Sequence, residues 1–156
     1  MADLIESVDV TPKAVAADQG LTLADKTQRV AQVVRDQYRQ GRRLLLAFSG
    51  GKDSSVMAAL VLNAVRDLVA EGEIAQGDAS DPFLLVVHSN TGVENPVLSQ
   101  YGIAECRRIK QFATQYNLPV GVDVVTPNLS NDYLVSILGG RTVATLPGMG
   151  SACSQM

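Results

Sequence analysis

The stretch at residues 49–55, SGGKDSS, carries the groups in this chain that are best suited to bind a phosphate. Gly50 and Gly51 can take backbone conformations closed to other residues, which lets backbone amides approach an anion. Lys52 adds a positive charge, and the serines add short hydroxyl donors. A helix that begins directly after such a loop presents free amides and its positive dipole end to the same anion. The composition therefore predicts a phosphate-binding loop between a strand and a helix.

The spacing within this loop separates it from the common P-loop of nucleotide hydrolases. A Walker A loop has four residues between its first glycine and the closing Gly-Lys-Ser/Thr. In this chain Lys52 is followed by Asp53, and no glycine stands at the required upstream position. A Walker A hydrolase is therefore disfavoured. The alternative to a phosphate loop is a glycine turn in which Asp53 caps the following helix.

Hydrophobic periodicity predicts an alternation of helices and strands along the chain. Helices are predicted over about residues 23–40, 53–69, 97–116 and 131–138, and short apolar runs predict buried strands at 44–48, 83–88 and 120–125. This order predicts an α/β fold, a parallel twisted sheet with helices on both faces. Residues 1–20 lack a clear period and are expected to form an N-terminal arm. Residues 21–156 are expected to form one nucleotide-binding domain.

Two polar turns directly follow predicted strands. Ser49 follows the first strand, and the turn Ser89-Asn90-Thr91-Gly92 follows the second strand. Ligands of parallel α/β sheets bind at the carboxyl ends of the strands. The two turns are therefore expected to meet at one edge of the sheet. His88, at the end of the second strand, has two interpretations: a nucleotide contact with a role in proton transfer, or a structural hydrogen-bonder.

Composition places the chain among single-domain globular proteins. It has 156 residues, 46% hydrophobic and 19% charged. No apolar run approaches the ~20 residues that a membrane helix needs. The acidic N-terminus lacks the pattern of a signal peptide, so a cytoplasmic location without membrane contact is expected. Cys106 and Cys153 are too few for a disulfide framework.

Basic residues are concentrated in two places. Between Lys26 and Lys52 there are seven basic residues and one acid, and Arg107, Arg108 and Lys110 form a second cluster. Each group either contacts a polyanion such as DNA or forms a solvated helix face. Nothing in their spacing decides between the two interpretations.

The loop and its preceding apolar strand resemble the signature of the PP-loop ATP pyrophosphatase superfamily, whose domains are adenine nucleotide alpha hydrolase-like. The resemblance implies binding of Mg·ATP and its cleavage to AMP and pyrophosphate as a substrate oxygen is adenylated. It implies Lys52 and Asp53 as catalytic residues, with Asp53 also a Mg²⁺ ligand. The phosphates would be held by Ser49, Gly50, Gly51, Lys52, Asp53, Ser54 and Ser55. The adenosine would be held by the backbone of Phe48, His88, Ser89, Asn90, Thr91 and Gly92.

A second resemblance lies in the turn after the second strand. Members similar to phosphoadenylyl-sulfate (PAPS) reductase carry Asp-Thr-Gly there, whereas this chain has Asn90 in place of the aspartate. The following TGVENPV is similar to the DNA phosphorothioation sulfur-transfer proteins of the DndC and SspD type, which belong to restriction–modification systems. This resemblance implies sulfur insertion into the DNA backbone. It implies DNA, a cysteine desulfurase as sulfur donor and other phosphorothioation subunits as partners.

The same resemblance extends to the tail, where Leu146-Pro147-Gly148 precedes Cys153. It implies that Cys153 is a sulfur carrier or one ligand of a 4Fe-4S cluster in a fuller chain, because two cysteines cannot supply four ligands. The alternative is an inert surface thiol. Three strands stand where such domains have about five, so the resemblance also implies that the chain is incomplete at its C-terminus.

Three further residues are candidates for a structural or a binding role. Glu94 is either a Mg²⁺ ligand or a cap for the helix that Pro96 begins. Cys106, in the middle of a helix, is expected to pack as a small core residue. Arg141, in the final irregular segment, would reach an anion across the cleft.

The predicted function is that of an ATP pyrophosphatase and sulfurtransferase, most closely one acting in DNA phosphorothioation. Two alternatives remain open from the sequence. In the first, a PAPS reductase-like thiol enzyme uses Cys153 to attack the sulfur of a bound adenylyl sulfate. In the second, the chain is a non-catalytic nucleotide-binding subunit of a larger assembly.

Overall fold

The computed structural model describes residues 20–141 and shows an α/β fold, a three-stranded parallel sheet flanked by helices. The elements in chain order are α1 (Leu23–Arg39), β1 (Leu44–Ala47), α2 (Lys52–Ala70), β2 (Leu84–Ser89), α3 (Pro96–Gln115), β3 (Val120–Val125), a 3-10 turn (Leu129–Asn131) and α4 (Tyr133–Leu138). The predicted elements are confirmed to within two residues at each end. None of these helices is long and apolar enough to cross a membrane. The N-terminal arm and the segment with Cys153 lie outside the described residues.

Local capping explains where two of the helices begin. Thr22 and Asp25 form a reciprocal capping box at the start of α1, with the Asp25 carboxylate accepting from the Thr22 amide at 2.8 Å. The hydrogen bonds from Thr22 lower the pKa of Asp25. At α3, Asn95 Oδ1 accepts from the amide of Val97 at 2.9 Å, and Pro96 occupies the first turn. Asn95 therefore provides the cap for which Glu94 is the sequence-based candidate.

The strands lie in the order β1–β2–β3, with Leu44 opposite Leu84 and Leu84 opposite Val120. Consecutive parallel neighbours joined by right-handed crossovers place α2 and α3 on the same face of the sheet. The strand residues of the hydrophobic core alternate accordingly, and they include Leu46, Leu84, Val86 and Val120. The core therefore lies between this one face and the helices.

The opposite face of the sheet is largely open in residues 20–141. Leu45 and Val125 on that face are 69% and 44% exposed, whereas Leu46 on the helix side is 6% exposed. The sequence-based expectation of helices on both faces is thus met on one face only, within the described residues. Apolar runs as short as LLLA in β1 indicate a buried strand but do not show which face is covered.

Adjacent leucines in β1 test this asymmetry. Leu46→Ala is expected to lower the free energy of unfolding by about 2–5 kcal/mol, because it leaves a cavity in the core. Leu45→Ala is the matched control and should change it by less than about 0.5 kcal/mol. Urea denaturation of both variants measures the difference. Equal losses would contradict a core confined to the helix side of the sheet.

Candidate functional site

The predicted phosphate-binding loop at residues 49–55 (the phosphate loop) lies between the end of β1 and the first turn of α2, as the sequence predicts. The amide of Phe48 donates to the carbonyl of Val87 at 2.8 Å, so Phe48 still pairs with β2. Helix α2 begins at Lys52 with Gly51 as N-cap, and no side chain caps its first turn. The first amides of a helix have no intrahelical partner. This end of α2 therefore presents donors to the loop side of the sheet.

The backbone of the loop uses its two glycines differently. Gly50 has φ of 77°, in the left-handed region that side chains with a Cβ disfavour. Gly51 has φ of −76° and extended geometry, which other residues adopt freely. Only Gly50 is thus required by backbone conformation.

Two serines, Ser49 and Ser54, hold the loop together. Ser54 Oγ donates to the carbonyl of Gly51 at 3.0 Å, so its contact with Ser49 Oγ at 3.0 Å must use the Ser49 proton. The amide of Gly51 in turn donates to Ser49 Oγ at 3.3 Å. Ser49 and Ser54 therefore spend their hydroxyl protons within the loop. Their role in this geometry is to fix the backbone amides that would meet a phosphate.

Lys52 and Asp53 are the charged groups of the loop. Both side chains are exposed, and neither makes a hydrogen bond or an ion pair among residues 20–141. Asp53 lies in the first turn of α2, where its charge is favourable to the helix dipole. Both groups are therefore accessible to a ligand bound at the loop.

The second predicted turn leaves the same edge of the sheet from β2. The amide of Asn90 donates to the carbonyl of Val125 at 2.8 Å, which extends the β2–β3 pairing. Its side-chain oxygen accepts from the amide of Gly92 at 3.2 Å and from Ser99 Oγ at 3.4 Å. Asn90 therefore shapes the turn and ties it to α3. Thr91 and Gly92 complete a turn that stands beside the phosphate loop in the sheet order.

His88 lies behind these turns. It is 1% exposed, and its Nδ1 is 2.8 Å from the carbonyl oxygen of Phe48. Its Nε2 is buried and has no hydrogen-bond partner in the described part of the chain. Of the two interpretations of His88 from the sequence, this geometry supports a structural hydrogen bond. Burial leaves the ring of His88 no open path to a ligand in this conformation.

Gly102 and Tyr101 are members of the site that sequence reasoning missed. A Cβ built on Gly50 would lie 3.5 Å from the Cα of Gly102 and 3.9 Å from the Tyr101 ring, so α3 backs the phosphate loop. The available signal was a glycine in the interior of a helix, where it is about 1 kcal/mol less favourable than alanine. Such a glycine indicates a close approach by another part of the chain.

The remaining carboxylates do not assemble a metal site by themselves. No group of three or more His, Cys, Asp or Glu side chains that could hold a metal occurs within residues 20–141. Asp53 and Glu94, both exposed, are the two carboxylates predicted to bind Mg²⁺. Mg²⁺ in nucleotide sites takes one or two carboxylates and completes its shell with phosphates and water. Binding of Mg²⁺ by Asp53 and Glu94 therefore stays a prediction that requires ligands from a nucleotide.

The cysteines have separate outcomes. Cys106 is 3% exposed within α3, and burial, together with the charge of Glu105, raises the pKa of its thiol. It packs in the core as the sequence predicts. Cys153 lies outside the described residues, so its carrier and cluster roles stay predictions.

Ion pairs occupy part of the first concentration of basic residues, which lies in and just after α1. Arg35 lies 2.8 Å from Glu73 and 3.2 Å from Glu71, and Arg39 lies 3.1 Å from Glu73. These contacts tie α1 to the connection after α2. Arg43 likewise forms an ion pair of 2.5 Å with Asp81, which precedes β2. These basic residues thus link parts of the protein to one another, although solvent-accessible pairs of this kind stabilise the fold by only ~0–1 kcal/mol each.

The second basic cluster is more open. Arg107 and Lys110 are exposed on α3 and form no ion pair within the described ranges, whereas Arg108 pairs with Glu105. Arg141 Nη1 donates to the carbonyl of Ser130 at 2.9 Å, so it braces the chain around α4.

Two grooves differ in their relation to the phosphate loop. One, of about 340 Å³, opens between α2 and α3 and is lined by Phe48, Ser55 and Tyr101 among others. The other, of about 610 Å³, lies at the amino ends of the strands beside Arg42 and Arg43. Because parallel α/β sheets bind ligands at their carboxyl ends, the loop end is the stronger candidate despite its smaller groove.

Comparison of the chain with protein-family models and with curated proteins finds no match.

Neighbouring glycines provide a test of the loop conformation. Gly50→Ala is expected to lower the free energy of unfolding by about 1–2 kcal/mol, because alanine is strained at positive φ. Gly51→Ala is the matched comparison: its Cβ would meet only Ser49 Oγ at 3.4 Å and its backbone is unstrained, so only the smaller loss from a poorer N-cap residue is expected. Urea denaturation measures both. A neutral Gly50→Ala would show that the left-handed turn is not adopted.

Proposed function

We propose that this chain binds Mg·ATP at the carboxyl edge of its sheet and cleaves it to AMP and pyrophosphate. The observation that carries the proposal is the loop after β1, in which a left-handed Gly50 leads into the uncapped N-terminus of α2. Backbone amides at such a terminus bind phosphates well because of their free donors and the helix dipole. The resemblance of SGGKDSS to the PP-loop signature adds the type of reaction.

The charges of the loop suit a phosphate that arrives with a metal ion. A carboxylate at Asp53 repels a bare phosphate, but the carboxylate and the phosphates together attract Mg²⁺. When bound, Mg²⁺ neutralises charge on the leaving pyrophosphate. Lys52, exposed in the same loop, would supply a second positive charge to the leaving pyrophosphate. The protein thus contributes positioning and stabilisation of the leaving group.

The adenosine is proposed to lie across the ends of β1 and β2. Phe48 and the turn at residues 89–92 follow adjacent parallel strands, so both lie at the edge of the sheet from which the loop leaves. The finer fold proposed is adenine nucleotide alpha hydrolase-like, with both faces of the sheet covered. In favour of this, parallel sheets are stable when both faces are buried, and Leu45 and Val125 are apolar.

The substrate whose oxygen is adenylated is proposed to be DNA, and sulfur is then inserted into the DNA backbone. This step rests on the likeness of TGVENPV to the phosphorothioation proteins. A cysteine desulfurase would then supply the sulfur, with Cys153 as carrier or cluster ligand. Arg107 and Lys110 offer exposed positive charge for backbone phosphates. Affinity for DNA should in that case fall steeply with salt, because phosphate contacts release counterions.

Removal of the loop lysine tests the reaction directly. Titration of the parent chain with Mg·ATP is expected to give binding and pyrophosphate release, with weaker binding of PAPS. Lys52→Ala should lower the rate of pyrophosphate release about a hundredfold, because the variant lacks the positive charge that stabilises the leaving pyrophosphate. Lys26→Ala, which removes an exposed lysine of α1, is the control and should release pyrophosphate at the parent rate.

Three outcomes would contradict the assignment. Release at the parent rate by Lys52→Ala would remove the loop from the reaction. Preference for PAPS without ATP cleavage would favour the reductase-like alternative. Binding of ATP that stays intact would favour a non-catalytic subunit.

A further inference from the structure

His88 stands at the junction of three parts of the molecule. It belongs to β2, its ring reaches the last residue before the phosphate loop, and it packs against the interior of α3. It is the buried side chain with an unpaired ring nitrogen in the described residues. Its contacts give it a position from which the loop can be held.

The hydrogen bond to Phe48 determines the tautomer of the ring. A carbonyl oxygen only accepts, so Nδ1 must carry the proton in the 2.8 Å contact. In the neutral ring Nε2 then bears a lone pair. No donor reaches Nε2 within residues 20–141. The Nδ1 side of the ring therefore forms a hydrogen bond, whereas the Nε2 side is held only by close packing.

The bonded carbonyl is part of the peptide that opens the loop. The carbonyl of Phe48 and the amide of Ser49 belong to one planar unit. His88 holds the carbonyl side of that plane, and Ser54 Oγ accepts from the amide side at 3.3 Å. A peptide gripped on both sides cannot rotate without losing both contacts. The direction in which the chain enters the loop is thus determined by His88 and Ser54 together.

Helix α3 closes the arrangement from the other side. A Cβ on Gly102 would lie 2.7 Å from Cε1 and 2.8 Å from Nε2 of His88, closer than side chains pack. The same glycine faces Gly50 of the loop, whose Cβ position is 3.5 Å from the Gly102 Cα. His88 and the loop therefore both pack against α3 at Gly102.

We propose that His88 is a positioning residue that holds the phosphate loop in its anion-binding form, with Gly102 as the surface against which it is wedged. The inference rests on the proposed function for its ligand, a nucleoside triphosphate with Mg²⁺. His88 acts through the Phe48–Ser49 peptide and does not touch the nucleotide. Because α3 follows the turn at residues 89–92, the same contact couples the two halves of the site.

Two substitutions at His88 separate positioning from general packing. His88→Ala removes both the donor and the bulk, whereas His88→Asn keeps an amide donor near Nδ1 and lacks the Cε1 and Nε2 atoms. Hydrogen exchange of the full 156-residue chain without nucleotide reports loop order, and Mg·ATP titration reports affinity. His88→Ala is expected to speed exchange at least tenfold at the hydrogen-bonded loop amides, those of Ser49, Gly51 and Ser55, and to weaken Mg·ATP affinity by a similar factor. His88→Asn should retain most of both.

Unchanged exchange in His88→Ala would overturn the proposal. An equal rise across the loop and the core strand residues would also overturn it, since that is the result of a purely structural role. Failure of the parent chain to bind Mg·ATP would instead contradict the proposed function. The exchange measurement needs no nucleotide, so the two failures are distinguishable.

A suppression test uses Gly102. Gly102→Ala is expected to lower the melting temperature in the parent background, although alanine is the better helix former. In the His88→Asn background the atoms that the new Cβ would meet are gone. The same substitution should there leave the melting temperature unchanged or raise it. An equal decrease in both backgrounds, or an increase in the parent, would show that His88 is not wedged against Gly102.

Discussion

The parallel pairing of β1 with β2 determines where the candidate groups of this protein lie. Leu46 is opposite Val86 and Ala47 opposite Val87, so the strands end side by side and Phe48 meets His88. The loop after β1 and the turn after β2 then leave the sheet at the same edge. A shift of β2 by one residue would move its core-facing side chains, His88 among them, to the open face of the sheet. The site therefore depends on this register more than on any single loop contact.

The phosphate loop combines fixed backbone with accessible charge. Ser49 and Ser54 are bonded to each other and to the loop backbone, while Lys52 and Asp53 remain exposed. This division suits a site in which amides define the geometry and side-chain charges respond to the ligand. Because these donors are already in place, the loop needs little rearrangement to bind an anion. His88 and Gly102 extend the same rigidity beneath the loop.

Much of the fold could be predicted from the sequence because its signals are local. Apolar runs and helical periods mark each element, and the alternation of the two gives a parallel sheet. The meeting of the two turns follows from that topology alone. The open face of the sheet could not be predicted, since Leu45 and Leu46 look alike in the sequence and differ only in which face they point to.

The details of the site were harder to predict for a physical reason. Ser49 and Ser54 are both plausible phosphate donors by type, and only three-dimensional geometry shows that they bind each other. Asn95, not Glu94, caps α3 because its oxygen reaches the amide two residues on. Gly102 matters through contacts with residues that are distant in the sequence. Side-chain partners depend on tertiary distances, which residue types do not specify.

The most direct test of one nucleotide site at this edge is an amide NMR titration of the full chain with Mg·ATP. The account predicts that amides at residues 50–54 and at 90–92 shift together and follow one saturation curve. Amides around Gly77, in the groove at the amino ends of the strands, should stay unchanged. Shifts confined to that groove, or to only one of the two turns, would contradict the account.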